Sequence, residues 1–369
     1  MVGKLKPKSP DYIFVGVVVA LTIFGLVMLS SASFEKAKSA MENGYFFLTH
    51  QIVYGLSFGI LGFLVCFFVP YRAWERLAIP LLLLSVVLLG LVLFSRFSMQ
   101  GNVTARRWLD VGFISFQPSE LMKLSFLVYL GAWIAKNQAR GKKAISGLLP
   151  FLFLIGGVTV LLVLAPATTV AVLIFATSLI AYFVAGAHFR FLVVSVLIAA
   201  LGFSALIYTT GYRTDRIFYF LNPNQDVLGK NYQREQAVIA IGSGGMTGAG
   251  FGQSTAKLNA LPEPLGDSIF AVIAEELGFV GSMTVVFLFF LLVWRGLLIA
   301  RASPDVFGRV LAAGFTCMIG LQAFVNMGAI SGLIPLTGVP LPFISYGGTA
   351  LAVFLTMSGI VANISRYRR

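Results

Sequence analysis

Acidic side chains cluster in one short part of the chain, between residues 261 and 278. Four carboxylates fall there, although the whole chain has only 14 Asp and Glu residues: Glu263, Asp267, Glu275 and Glu276. Asp267 and Ser268 suit the start of a helix, where a side-chain oxygen can accept a hydrogen bond from a free backbone N–H group. Capping does not explain why Glu275 and Glu276 continue into an apolar stretch.

A second ionisable pair lies inside an apolar stretch that begins at Gln117-Pro118. Glu120 and Lys123 are three residues apart and share one face of a helix. An ionisable side chain near the bilayer centre costs roughly 2.5–3.5 kcal/mol, so two of them require a reason. Two interpretations stay open. Either the two charges neutralise each other and fix helix packing, or Lys123 faces a polar cavity and meets a phosphate there.

Arginines occur near both acidic regions. Arg106 and Arg107, followed by Trp108, precede the Glu120 pair, and Arg213 and Arg216 open a long polar segment. The guanidinium group is suited to forked binding of phosphate oxygens, although an arginine at the membrane surface is more often solvated or paired with lipid. These positions are therefore candidates for holding an anionic substrate.

Two later segments predict irregular backbone. Residues 242–252 hold six glycines in eleven positions, so N–H groups that include those of Gly244 and Gly245 can converge on an anion. Tight turning of a re-entrant loop is the alternative. Residues 332–348, which include Ser345, hold three prolines and cannot form a regular helix throughout. Non-helical backbone at membrane depth must be buried in protein or line a water-filled cavity.

The composition decides which kind of fold must position these residues. Hydrophobic residues make up 58% of the 369-residue chain and charged residues 11%, against about 45–50% and about 25% in soluble proteins. Apolar stretches of bilayer-spanning length recur along the chain, which excludes secreted enzymes and soluble binding modules. The net charge of +13 fits Lys and Arg kept in cytoplasmic loops and requires no nucleic acid partner. Cys66 and Cys317 lie in apolar stretches and predict neither a disulfide nor a metal site.

The sequence predicts an all-α polytopic membrane protein with about ten transmembrane helices, forming a single integral membrane domain over 1–369. With about 20 residues per span, the helices lie near 12–31, 50–69, 79–95, 119–135, 147–165, 167–187, 191–210, 276–299, 309–329 and 347–365. An even number places both termini on one side, and the distribution of Lys and Arg makes the tails 1–11 and 366–369 cytoplasmic. The segment 211–266 is then a large extracytoplasmic loop.

Five segments, in this order and spacing, resemble the SEDS family (shape, elongation, division and sporulation), the FtsW/RodA-like peptidoglycan glycosyltransferases. The motifs are Arg106-Arg107-Trp108, QPSE-x-x-K at 117–123, Tyr232-Gln233 followed by 240–245, LPE-x-x-x-D-x-IFAVI-x-EELG at 261–278, and 340–348. The resemblance covers about residues 100–366, whereas the first three spans match only in hydropathy.

The resemblance implies an enzyme that polymerises lipid II into glycan strands at the outer face of the bacterial cytoplasmic membrane. The reaction is an inverting glycosyl transfer from a polyprenyl diphosphate donor, which needs one base and no second nucleophilic carboxylate. Asp267 matches the family's essential acid, the proposed general base. The candidates for substrate binding are Arg106, Glu120, Lys123, Arg213, Arg216, Gly244, Gly245 and Ser345.

The sequence differs from the family's pattern at two places. Leu265-Gly266 precedes Asp267 where His-Thr is usual, so the acid is kept but its neighbours differ. Pro166-Ala167-Thr168-Thr169 stands where the family commonly has Pro-Asp-x-Gly-Thr. The missing acid puts any role of that segment in question.

The sequence also supports expectations about cofactors, partners and competing functions. The sequence identifies no definite cofactor; a divalent cation, Mg or Mn, could assist the diphosphate, but the sequence has no dedicated ligand cluster for one. The expected partners are lipid II, a single-pass class B penicillin-binding protein transpeptidase, and other divisome or elongasome proteins. Tyr232-Gln233, Lys257 and residues 105–108 favour the division-type branch. A flippase for a lipid-linked precursor and a non-catalytic division scaffold stay open as alternatives.

Overall fold

The computed structural model describes residues 7–41, 43–94, 108–110, 115–138, 144–208, 214, 218–222 and 231–368. Within these ranges the chain is helical apart from connecting segments and one antiparallel ladder of two-residue strands, β1 (Leu109–Asp110) and β2 (Ser115–Phe116). The prediction of an all-α fold needs only this small correction. The ladder forms where the chain turns back just before Pro118 starts the next helix.

The helices follow the apolar stretches of the sequence. They are α1 (Tyr12–Met41), α2 (Phe46–Phe68), α3 (Ala73–Phe94), α4 (Pro118–Lys136), α5 (Ala144–Leu164), α6 (Thr168–Val184), α7 (Phe189–Tyr208), α8 (Tyr232–Ser243), α9 (Ala256–Asn259), α10 (Ile269–Ala302), α11 (Val306–Ile330) and α12 (Gly348–Ser365). Each predicted span coincides with a helix over most of its length. The predicted loop 211–266 is not all loop, because it contains α8 and α9.

The described part of the chain has seven helices that are long and apolar enough to cross a membrane: α1, α2, α3, α5, α10, α11 and α12. The apolar helix α6 and the apolar part of α7 are shorter, and α4 carries the Glu120 and Lys123 pair. The chain is therefore a multi-pass membrane protein. The number of ten crossings stays a prediction.

The largest difference from the predicted helix bounds concerns α10. This helix begins at Ile269 and not near residue 276, and its backbone leaves the helical region at Gly278, with φ 64° and ψ −161°. Glu275 and Glu276 therefore lie inside a short first part of the helix. The sequence pattern placed them at the start because unpaired acids are costly in an apolar helix. Both have close partners, described below, which remove that cost.

The centre of the molecule is built from α11 and α12, most of whose residues are buried. α11 packs against α4, α6 and α10, and α12 packs against α2. Helices α2 and α12 approach closely because each places a glycine against the other. A Cβ at Gly59 would lie 3.3 Å from the Ala352 Cα, and a Cβ at Gly359 would lie 2.5 Å from the Phe63 carbonyl oxygen. Small residues at such interfaces are typical of helices packed in membranes.

The two ends of the described chain meet. The backbone N–H of Lys8 donates to the Arg366 carbonyl at 2.7 Å, and the N–H of Asp11 donates to Ser365 Oγ at 2.9 Å. The Asp11 carboxylate also pairs with Arg295, near the end of α10. Both termini thus lie on the same side of the molecule, as an even number of spans requires.

Candidate active site

A cavity of about 1730 Å³ lies between α2, α3, α4, α6 and α12. Polar side chains meet at the end where α2, α4 and α12 begin: His50, Gln117, Glu120, Gln233, Asp267 and Tyr346. From there the wall continues past Phe58 and Val353 to Leu81 and Trp74, near the opposite end of the helices, and becomes apolar. The cavity is therefore amphiphilic, with one polar end and a long apolar remainder.

Asp267 lies on the cavity wall, and its main chain is held from three directions. Glu263 adopts a left-handed conformation, with φ 49°, and its carbonyl accepts hydrogen bonds from the N–H groups of Gly266 and Ser268, at 3.1 and 3.2 Å. Asn326 Nδ2 of α11 donates to the Asp267 carbonyl at 2.8 Å. Strained backbone of this kind persists only when surrounding contacts determine it, which suits a residue that must be held in one position.

The Asp267 carboxylate has a defined neighbour on each side. Gln233 Nε2 of α8 donates to Asp267 Oδ1 and to Ser268 Oγ, both at 3.1 Å. Oδ2 lies next to Gly338, where a Cβ would be 3.7 Å away. Ser268, and not Asp267, occupies the N-cap position of α10, and its side chain makes no capping hydrogen bond. Helix capping therefore does not explain Asp267.

Ser345 holds the loop that carries Asp267 through hydrogen bonds of its hydroxyl. Its hydroxyl donates to the Gly266 carbonyl at 2.6 Å and accepts from the N–H of Leu341 at 2.8 Å. The neighbouring Tyr346 N–H donates to the Leu265 carbonyl at 2.8 Å. Ser345 was predicted to bind substrate. The structure instead buries this side chain and uses its hydroxyl within the protein, so its role is to position the loop.

The Glu120 and Lys123 pair is divided between the cavity and the protein interior. Glu120 reaches the wall of the cavity, whereas the Lys123 side chain is fully buried. Lys123 Nζ lies 2.6 Å from Glu120 Oε2, donates to Gln322 Oε1 at 2.7 Å, and lies 4.7 Å from the centre of the Phe354 ring. Gln322 in turn donates to the Pro340 carbonyl at 2.9 Å. The geometry therefore favours mutual neutralisation and helix packing over the predicted contact between Lys123 and a phosphate.

This arrangement predicts how the pair responds to substitution. Lys123→Met alone leaves the Glu120 carboxylate buried without its cation, and we expect a loss of roughly 3–5 kcal/mol in stability. Adding Glu120→Gln removes the uncompensated charge and should recover most of that loss. Thermal unfolding in detergent, followed by size-exclusion chromatography, measures both variants against the wild type. A double variant no more stable than Lys123→Met would show that neutralisation is not what the lysine provides.

Glu275 and Glu276 hold the glycine-rich segment against α10. Glu275 Oε1 accepts from the N–H of Thr255 at 2.8 Å. Glu276 Oε1 accepts from Lys257 Nζ at 2.6 Å, and Ser31 of α1 also donates to this carboxylate, at 2.7 Å. Because both carboxylates are paired, the two glutamates can lie within a helix that is otherwise apolar.

The backbone of the same segment replaces the helical hydrogen bonds lost at Gly278. In a continuous helix the N–H groups of Phe279 and Val280 would donate to the carbonyls of Glu275 and Glu276. Instead, Phe279 and Val280 donate to the carbonyls of residues 245 and 246, at 2.9 and 3.2 Å. The carbonyls of Glu275 and Glu276 accept from the N–H groups of residues 249 and 250, at 2.9 and 3.0 Å. The exposed backbone groups on both sides are thereby satisfied.

The predicted anion-binding role of Gly244 and Gly245 therefore requires correction. A Cβ at Gly244 would lie 1.9 Å from the Ala274 carbonyl oxygen, so this glycine is needed for close packing on α10. Gly245 has φ +54°, and its carbonyl receives the N–H of Phe279. Neither residue belongs to the described wall of the cavity. Tight turning, the alternative in the sequence, is the observed use of these glycines.

The remaining site predictions divide into those the structure describes and those it does not. Arg106, Arg213 and Arg216 lie outside the described residues. Trp108 lies on the cavity wall. Residues 166–169, whose role was in question, also line the cavity, and Thr169 Oγ1 donates to the Thr337 carbonyl at 2.9 Å.

Several polar wall residues had no predicted role. Gln233 was noted only as part of a motif, and His50 was not noted at all. A signal was available for His50, which opens the predicted span 50–69, because a polar side chain inside a span suggests polar surroundings within the bundle. The same signal applies to the buried amides of Gln51, Gln322 and Asn326. Spacing along the chain cannot show that two of these residues, Gln233 and Asn326, contact Asp267.

Fold and site together define a multi-pass membrane protein with an acid at the polar end of an amphiphilic cavity. The family model described as "Cell cycle protein", which covers FtsW, RodA and SpoVE, matches residues 11–369. The chain belongs to this family, the SEDS family, as the sequence motifs predicted.

Individual relatives match over nearly the whole chain. The protein is 36% identical over 364 residues to stage V sporulation protein E of Bacillus subtilis, covering 99% of each chain. It is 39% identical over 356 residues to the probable peptidoglycan glycosyltransferase FtsW of Trichlorobacter lovleyi, covering 96% of this chain and 93% of the relative. A chain of a solved peptidoglycan synthase complex, described as coordinating polymerization and crosslinking, superposes with a TM-score of 0.79 at 30% identity. That match covers 97% of this chain and 98% of the solved one.

Proposed function

We propose that this protein is a peptidoglycan glycosyltransferase that polymerises lipid II into glycan strands. The observation that carries the proposal is the amphiphilic cavity with Asp267 at its polar end. Lipid II has the matching form, a sugar and diphosphate head on a long polyprenyl chain. The relatives named as FtsW glycosyltransferases support the same activity.

We assign to Asp267 the removal of one proton from the acceptor sugar. As the acceptor sugar hydroxyl attacks the anomeric carbon of the donor, Asp267 takes the hydroxyl proton, and the polyprenyl diphosphate leaves with the electron pair of the broken bond. Gln233 on Oδ1 holds the carboxylate in orientation, and Gly338 lies next to Oδ2. The negative charge that develops on the leaving diphosphate requires cations. Arg106, Arg213 and Arg216 stay our candidates for that role.

A divalent cation fits the residues present at this end of the cavity. Asp267 and Glu263 both line the wall and offer hard carboxylate oxygens. Mg²⁺ is commonly held by one or two carboxylates together with substrate phosphates, and not by a dedicated cage. When bound, such a cation would neutralise charge on the diphosphate. Which metal serves, and whether one is needed, is part of the proposal to be tested.

The orientation and partners follow from the proposed reaction. The termini, which lie together, would face the cytoplasm, and Asp267 would face the outer surface of the bacterial cytoplasmic membrane, where lipid II is polymerised. The similarity to a chain of a synthase complex that couples polymerization and crosslinking supports a class B transpeptidase as partner. The motif at 232–233 and Lys257 favour a role in division over elongation.

The activity is tested with purified protein and fluorescent lipid II in detergent, alone and together with its transpeptidase partner. We expect glycan polymer, resolved as a ladder by gel electrophoresis. A flippase would move lipid II across liposomes without forming polymer, and a scaffold would do neither. Absence of polymer under both conditions would contradict the proposed function.

A further inference from the structure

An aromatic wall lies in the polar end of the cavity, apart from the residues given a role above. It consists of Phe47, His50 and Tyr54 of α2 together with Tyr346, all of which line the cavity and are half-buried. The Tyr346 hydroxyl and His50 Nδ1 are 3.0 Å apart and share a hydrogen bond. The His50 and Tyr54 rings have centroids 4.7 Å apart, and Phe47 meets Tyr346 edge to face at 5.4 Å.

The shape of α2 presents these rings on one side. After His50 the helix widens into a π-helical stretch, Gln51–Leu56, before returning to α-helix. Such stretches are rare and occur frequently at functional sites. Two hydrogen bonds join this stretch to the residues just before α12. Gln51 Oε1 accepts from the N–H of Gly347 at 3.0 Å, and Gln51 Nε2 donates to the Ser345 carbonyl at 3.4 Å. The register of His50 and Tyr54 relative to Tyr346 is thereby fixed.

The aromatic wall is connected to Asp267 through a short path. The Tyr346 N–H donates to the Leu265 carbonyl, two residues before Asp267, and Ser345 holds the Gly266 carbonyl. Tyr346 is therefore joined to the loop that carries Asp267. A molecule resting on the aromatic wall would lie beside the acid at the same end of the cavity.

We propose that the aromatic wall is a sugar-binding subsite that takes a pyranose ring of the substrate next to the reacting position. A pyranose has apolar C–H faces that stack on aromatic rings and hydroxyl or amide groups that require hydrogen-bond partners. Phe47 and Tyr54 supply the apolar surface. His50 Nδ1 shares its hydrogen bond with the Tyr346 hydroxyl. His50 Nε2 has no protein partner among the described residues, so it can form a hydrogen bond with a polar group of the sugar. The inference rests on the proposed glycosyl transfer and names the residues that would hold its carbohydrate.

The subsite is tested by the kinetics of polymer formation. We expect Tyr54→Leu and His50→Leu each to raise the KM for lipid II about tenfold, the size of one lost aromatic contact, with kcat changed by less than about twofold. The matched control is Phe68→Leu, an exposed aromatic residue at the end of α2 that lies outside the described cavity wall. Its KM should stay within about twofold of the wild type. Unchanged KM in both test variants, or an equal rise in the control, would overturn the subsite.

Two further probes decide what the subsite recognises. Undecaprenyl diphosphate, which has no sugar, should inhibit wild type and variants equally, because the aromatic wall is assigned to carbohydrate alone. A lipid-free glycan oligomer should inhibit the variants about tenfold more weakly if the bound ring belongs to the acceptor strand, and equally if it belongs to the donor. Once KM is raised in the variants, the result with the oligomer assigns the bound ring to the acceptor strand or to the donor. Weaker inhibition of the variants by undecaprenyl diphosphate would contradict the subsite.

Failure of the subsite and failure of the proposed function have different signatures. Wild-type protein that forms no polymer contradicts the glycosyltransferase proposal. In that case direct binding of lipid II to the wild type and to Tyr54→Leu still tests the aromatic wall, and equal affinity would overturn it. Polymer formation with unaltered KM in the variants overturns the subsite alone.

Discussion

Replacing Asp267 with Asn should lower the rate of lipid II polymerisation by at least about a hundredfold, while the protein inserts and elutes like the wild type. Asn keeps the shape of the side chain and an oxygen that can accept the Gln233 hydrogen bond. It cannot take up the proton of the acceptor hydroxyl, and general base catalysis contributes about 10²–10⁴ in rate. Asn is also a good N-cap residue, so a residual capping role would be preserved. The measurement is the initial rate of polymer formation at saturating lipid II.

A matched control for this substitution is available at the opposite end of the molecule. Asp305 is the N-cap residue of α11, where its side chain accepts from the N–H of Gly308 at 2.8 Å. Asp305→Asn makes the same chemical change at a true capping position, outside the described cavity wall. Its polymerisation rate should stay within about threefold of the wild type, because Asn can still cap. Near-normal turnover in Asp267→Asn would contradict the assignment of Asp267 as the base.

Replacing Gly278 with Ala should destabilise the protein by more than about 3 kcal/mol and reduce the yield of folded protein sharply. The backbone angles at Gly278, φ 64° and ψ −161°, belong to a region that is essentially restricted to glycine. The added Cβ would also lie 2.3 Å from the Gly248 backbone nitrogen, so the glycine-rich segment would be pushed off α10. Thermal unfolding and the monodisperse fraction in size-exclusion chromatography report the effect.

Other glycines separate this local effect from a general sensitivity to substitution. Gly248→Ala tests the same junction from the other side, since its Cβ would lie 2.1 Å from the Glu276 carbonyl oxygen, and we expect a comparable loss. Gly156 lies in α5, where a Cβ meets nothing within 4 Å. Gly156→Ala should be neutral or stabilising by up to about 1 kcal/mol, because alanine is the better helix former. A Gly278→Ala protein as stable as Gly156→Ala would show that the break in α10 is not required.

The helices could be predicted from the sequence because each depends on its own residues. About 20 apolar residues in a row predict a span whatever surrounds them, and the bounds of α11 and α12 differ little from the predicted 309–329 and 347–365. The role of Asp267 is inferred from the family motif at 261–278 and not from its position alone, which helix capping would also explain. Its place on the cavity wall agrees with that inference.

The roles that could not be predicted depend on pairs of residues far apart in the chain. Glu276 looked misplaced in an apolar helix until its contacts with Lys257 and Ser31 were known. The glycines at 242–252 suited an anion equally well in sequence, because nothing in a single segment shows that α10 breaks opposite it. Ser345 and Lys123 are similar cases. The residue type shows that each of these groups can bind a partner. It does not show that the partner is another part of the same protein, far away in the chain.

The meeting of the two ends has a consequence for the order in which the protein is made. Asp11 and its partner Ser365 are 354 residues apart, so at 5–20 residues per second the ribosome needs roughly 20 to 70 seconds to pass from one to the other. Ser31 likewise has no access to its partner Glu276 until 245 further residues have been synthesised. During synthesis, α1 must therefore satisfy its polar groups with water, lipid head groups or the insertion machinery. Helix α1 therefore reaches its native surroundings only when α12 is complete.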